Sequence, residues 1–207
     1  KFSVKEFVLG FVRPLNPKKN PDFMWAFGGR FFMVLGYQAI QAYGLYILTD
    51  YIGLELVAAG KVLGTMSIIT MVTMMAGTVF FGRLSDVTGR RKMFVFGSSA
   101  LMAIAIAVPW IVPSTTSMYI YALLVGIGYG AYTSVDLALM IDVLPSQGDV
   151  GKDLGVLNLA SNIPQILVPV IAAFLINLTG GYSVIFMYAI AGVIISSMLV
   201  FPIRSVK

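Results

Sequence analysis

Six long, predominantly apolar runs decide what this chain can fold into. They cover Phe23–Leu48, Val57–Phe81, Met93–Val112, Met118–Leu144, Leu154–Leu178 and Tyr182–Pro202, each 20 to 27 residues long. A helix needs about 20 apolar residues to cross a bilayer. A membrane strand needs about half that and alternates in polarity. These runs do neither, so they predict six transmembrane helices and an all-α polytopic fold. The balance of the chain agrees. Only 11% of its 207 residues are charged and 58% are hydrophobic, too lean a supply for the polar coat of a water-soluble domain.

The charges alternate with the runs. Lys1, Lys5, Arg13, Lys18 and Lys19 precede the first, Arg83, Arg90, Arg91 and Lys92 follow the second, Lys152 follows the fourth, and Arg204 and Lys207 end the chain. That puts twelve of the fourteen basic residues on one side. The positive-inside rule then predicts cytoplasmic termini and cytoplasmic basic connectors. The net charge of +5 is explained by topology, so no nucleic-acid partner is expected; the partner is the lipid bilayer. Residues 1–20 read as a cytoplasmic linker, in which Val4, Phe7, Val8 and Phe11 have the spacing of a short surface helix, and residues 21–207 as the bundle. Lys1 follows no initiator methionine or signal pattern, and the chain reads as a piece of something longer.

Several chemistries are absent from the sequence. With no cysteine and no histidine, disulfides, thiolate zinc sites and histidine proton relays are ruled out. No phosphate-binding glycine loop, metal cluster or nucleophile–base set is present, so neither a cofactor, a metal nor catalysis is expected.

Two ionisable residues lie well inside the runs, Arg30 and Asp136. A charge at mid-membrane costs several kcal/mol by the more lenient scales, so each is expected to face protein or a water-filled cavity. Arg30 lies about 10 Å and Asp136 about 12 Å from the basic side at the helical rise. They stand on the two helices that correspond in a 3+3 inverted repeat. Helical periodicity extends each into a stripe: Arg30, Tyr37 and Gln41 on the first helix, and Tyr129, Tyr132, Thr133 and Asp136 on the fourth. On the fifth, Asn158, Asn162 and Gln165 share a face beside Pro164 and Pro169, which can bend a helix. Amides and hydroxyls beside aromatic rings suit a hydroxylated solute such as a sugar. The bland alternatives are a structural Arg30–Asp136 pair, a snorkelling Arg30, and amides that glue neighbouring spans together.

The connector "GRLSDVTGRRK" resembles the signature loop of the major facilitator superfamily, Gly-x-Leu-Ala-Asp-Arg-x-Gly-Arg-Lys, which joins the second and third helices of each six-helix half. Gly82, Leu84, Asp86, Gly89, Arg90 and Arg91 match, while Ser85 and Val87 depart from it. Glycines 82 and 89 suit a tight turn at the water line. The looser loop and the basic lead-in imply the C-terminal half of a twelve-helix transporter, whose missing partner is an N-terminal half. The family also implies that the first and fourth helices line a central cavity. It implies a latch in which Asp86 caps the fifth helix near Gly151–Leu154 and Arg90 pairs with Asp142. The stretches "YILTDYIG" and "DVLPSQGDVGKDLGVLNLASNIPQ" look most like bacterial sucrose–proton and glycoside–cation symporters.

The resulting expectation is secondary active transport of a small solute, a sugar or glycoside first, across a bacterial cytoplasmic membrane. Asp136 is the expected coupling carboxylate, proton the expected ion, and Arg30 with water access the expected control on its protonation. The alternatives are a drug or metabolite exporter on the same scaffold, or a non-transporting receptor or assembly module.

Overall fold

The computed structural model describes residues 19–143 and 150–203, with side chains in the second segment described from residue 155 onward. The predicted surface helix within residues 1–18 lies outside the described residues. Six helices long and apolar enough to cross a membrane are present among them. They are α1 (Pro21–Tyr46), α2 (Leu56–Thr88), α3 (Arg91–Ile111), α4 (Thr115–Asp142), α5 (Val150–Thr179) and α6 (Ser183–Val200). The protein is an all-α integral membrane protein.

Local chemistry sets the helix ends. Pro21 opens α1, where a missing N–H costs nothing. Ser114 and Ser117 form a reciprocal capping box at the start of α4. Two ends differ from the hydropathy reading. First, α1 continues into a π-helical turn, Ile47–Tyr51. Second, α2 runs seven residues beyond Phe81, through the signature connector, and stops only at Gly89, with φ of 64°. Gly82 is therefore helical and makes no turn; a Cβ built on it would lie 3.4 Å from that of Ser134, so its smallness serves packing on α4. Gly89 alone of the two takes the left-handed conformation that glycine tolerates.

The packing has an internal symmetry. α4 lies against α2 and α3, α1 lies against α5 and α6, and α3 meets α6. Exchanging α1 with α4, α2 with α5 and α3 with α6 maps this set onto itself, as the 3+3 repeat requires. Lipid offers no hydrophobic drive for helices to associate, so close backbone approach has to supply the contact energy. Glycines provide it at the α2–α4, α1–α6 and α3–α4 crossings. A Cβ on Gly130 would stand 2.3 Å from the Met74 carbonyl of α2, and one on Gly36 2.6 Å from the Ala189 carbonyl of α6. On the third crossing a Cβ on Gly128 would meet the Met102 side chain at 2.7 Å. α1 and α4 are the most covered helices, with 56% of their most apolar windows buried, against 17% in α2 and 22% in α5.

Candidate functional site

The stripes predicted on the first and fourth helices meet between α1 and α4. Arg30 Nε lies 3.4 Å from Asp136 Oδ2, and the Tyr132 hydroxyl donates to Asp136 Oδ1 at 3.0 Å. Asp136 is buried, and the Arg30 side chain keeps about a quarter of its surface exposed. The pair thus has one buried acid and one base that still reaches solvent-accessible space. Both carboxylate oxygens are engaged, which is how a membrane-buried charge is compensated.

An aromatic ladder climbs away from this pair. The Tyr129 ring stands 6.4 Å from that of Tyr132 at 18°, and it stacks on Tyr37 of α1 at 3.9 Å and 12°. The Tyr37 hydroxyl in turn accepts from Gln41 Nε2 at 2.7 Å. A continuous track therefore runs from Arg30 and Asp136 through three phenol rings to an amide. Beyond it lies a cavity of about 280 Å³ lined by Gln38, Gln41 and Gln165 with Ala42 and Val168. The α5 amide joins the site there.

Other expected members behave differently. Thr133 turns its hydroxyl back to the Gly130 carbonyl at 3.1 Å, a bond that competes with any reach toward Asp136. Asn158 and Asn162 lie on an exposed face of α5. Gln165 Nε2 also donates to the Ser161 carbonyl at 3.1 Å. α5 passes through Pro164 and Pro169 as one helix, and Tyr43 of α1 donates to the Pro169 carbonyl at 2.9 Å.

Two residues were missed by the sequence reading. Gln38 lines the cavity, and its i, i+3 relation to Gln41 is the signal that could have found it. Tyr121 is fully buried with a hydroxyl that has no hydrogen-bond partner among the described residues. It sits eleven residues before Tyr132 on the same face of α4, so extending the stripe by two turns would have found it.

At the end of the bundle that carries the basic connector, the expected latch pairing shifts by one residue. Arg91, not Arg90, binds Asp142, and the same Nη1 donates to the Ala138 carbonyl at 2.8 Å. Arg90 is the exposed N-cap of α3, outside the helix whose first turn points Arg91 at α4. Asp86 is exposed in the last turn of α2, and the expected capping partners at Gly151–Leu154 lie outside the described side chains. The described residues contain no cluster of acids suited to a metal ion.

Residues 22–207 match the family model of the Major Facilitator Superfamily. The chain belongs to the major facilitator superfamily. Its six helices, inverted pairing and signature connector are those of a half of such a transporter. The chain is 31% identical over 180 residues to the MFS transporter asaE of Aspergillus flavus, covering 83% of this chain and 38% of that protein. It is 30% identical over 105 residues to multidrug resistance protein 3 of Bacillus subtilis, covering 51% of this chain and 20% of that protein. It is 31% identical over 150 residues to the fujikurins efflux protein of Gibberella fujikuroi, covering 69% and 32%. The chain thus spans well under half the length of the curated relatives it matches. No solved structure matches it significantly.

Proposed function

We propose that this major facilitator half belongs to a proton-coupled exporter of a small, planar organic solute, with Asp136 as the coupling carboxylate. The observation that carries the reading is the buried Asp136 between the Arg30 side chain and the Tyr132 hydroxyl, at the foot of a tyrosine ladder. A carboxylate held by a cation and a phenol, as Asp136 is among the described residues, changes its hydrogen-bonding when it gains a proton. Protonation releases Arg30 and leaves Tyr132 as a neutral partner, so proton occupancy alters the contact between α1 and α4.

The solute class moves from the sugar expectation toward export for two reasons. Two of the relatives carry names concerned with multidrug resistance or efflux, and none of the three is named for sugar uptake. Of the ladder's rings, Tyr37 and Tyr132 are buried and Tyr129 is half-buried, and the accessible part of an aromatic ring packs against planar rings. The glutamines at the cavity then read the polar edge of the solute. The basic connector between α2 and α3 faces the cytoplasm in this reading, and the second six-helix half completes the cavity.

The test is transport in proteoliposomes by the full-length protein that contains this chain, under an imposed proton gradient. The probes are an aromatic dye, an uncharged hydroxylated aromatic and sucrose. Gradient-driven movement of either aromatic, lost in Asp136→Asn while solute exchange persists, supports the reading. Intact gradient-driven transport by Asp136→Asn overturns the coupling role, and movement of sucrose alone overturns the solute class.

A further inference from the structure

A second cavity shares no lining residue with the tyrosine ladder or with the glutamine-lined cavity beside it. It has a volume of about 730 Å³ and is framed by the start of α1, the start of α3 and the residues that follow α6. Its lining combines Asp22, Trp25 and Lys92 with Phe201 and Ile203. The placement is fixed by chain ends: Asp22 and Trp25 are in the first turns of α1, and Lys92 is the second residue of α3. The cavity therefore opens at the level where the spans meet water, on the same end as the Arg83–Lys92 connector.

The chemistry of the lining is amphipathic. Lys92 Nζ is steered by a bond to the Ile203 carbonyl. An ammonium has three donors, so this contact orients the group without exhausting it. Asp22 also lines the cavity; its carboxylate has a partner already, and a carboxylate accepts more than one hydrogen bond. Trp25 and Phe201 are exposed. Phe201 pairs with the exposed Phe96 of α3, ring centres 5.4 Å apart, which continues an apolar strip down the outer face of the bundle. A site with a cation, an acid and a tryptophan at the water line, leading into an aromatic strip at hydrocarbon depth, matches one class of molecule in a membrane.

The geometry points to a glycerophospholipid site: the phosphate on Lys92, a hydrogen-bond donor of the headgroup on Asp22, and an acyl chain along Phe201 and Phe96. Basic pockets between transmembrane helices are a recognised mode of headgroup binding, and tryptophan favours the interfacial level. Asp22 adds selectivity. Ethanolamine and glycerol headgroups carry donors for it, whereas choline carries none, so phosphatidylcholine engages Lys92 only. The site is independent of the export reading, since it needs neither Asp136 nor a solute.

The experiment is lipid retention by the purified full-length protein, measured by native mass spectrometry after equilibration with phosphatidylethanolamine, phosphatidylglycerol or phosphatidylcholine. The wild type retains the first two over the third. Lys92→Gln lowers retention of all three by about fivefold, the effect of one basic residue near a headgroup. Asp22→Ala, which removes the acceptor, leaves the Lys92–Ile203 contact intact and removes the discrimination against phosphatidylcholine. Circular dichroism confirms that both variants remain helical. Equal retention of the three lipids by the wild type overturns the proposal, as does retention that is unchanged in Lys92→Gln. Stronger retention after deletion of residues 1–18 also overturns it, because the chain's own leading segment then occupies the cavity.

Discussion

Arg90 and Arg91 are neighbours with the same charge, and only one of them holds the bundle together. Arg91 reaches both Asp142 and the Ala138 carbonyl, while Arg90 stands outside α3 as its exposed N-cap. Arg91→Gln should therefore lower the detergent melting temperature, with a loss of about 1 kcal/mol or less because the pair is partly solvent-screened. Arg90→Gln should melt with the wild type. The reverse ranking would show that the family-implied pairing is the operative one. Sequence could locate the charge cluster but not choose between the two, because one residue turns a side chain by about 100° on a helix. The choice depends on where α3 begins, and Gly89 decides that. The same limit applies at the site. Arg30 and Asp136 were legible because an ionised group in an apolar run demands a partner. Where the Thr133 hydroxyl points was not legible, because a hydroxyl can satisfy itself on its own helix, as this one does on the Gly130 carbonyl.

Hydropathy located the six helices to within a few residues, yet it misjudged how α1 and α2 end. The last turns of α2 are polar and still helical, so an apolar window closes before the helix does. The π turn after α1 leaves no mark on hydropathy either. What the elements do with their glycines is testable. Gly130→Val and Gly36→Leu each drive a side chain into a neighbouring carbonyl, and overpacking of this kind costs about 1–3 kcal/mol. Gly60→Ala and Gly64→Ala on α2, where nothing lies within 4 Å of a built Cβ, should be neutral or stabilising, since alanine is the better helix former. Thermal unfolding in detergent separates the two groups; destabilisation of similar size in both would overturn close approach as the reason for the glycines.

At the scale of the whole molecule, the burial pattern divides the helices by what they face. α2 and α5 are the barest, yet α5 presents Asn158, Asn162 and Gln165 along one edge and Ile163, Val170 and Phe174 along another. Amides are costly in hydrocarbon unless they meet protein or water. The amide edge adjoins the cavity shared with Gln38 and Gln41 of α1, so it should border an aqueous path. The apolar edge should border lipid or the partner half. Because this stretch contains no cysteine, single substitutions in an otherwise cysteine-free transporter report the difference directly. Asn162→Cys should react quickly with a charged, water-soluble thiol reagent in proteoliposomes. Val170→Cys should react slowly with it, by about tenfold or more given the cost of carrying a charge into an apolar environment, and readily with a lipophilic maleimide. Equal labelling by the charged reagent would mean that the amides pack against a helix of the other half, and that the water path must follow the tyrosine ladder of α1 and α4 alone.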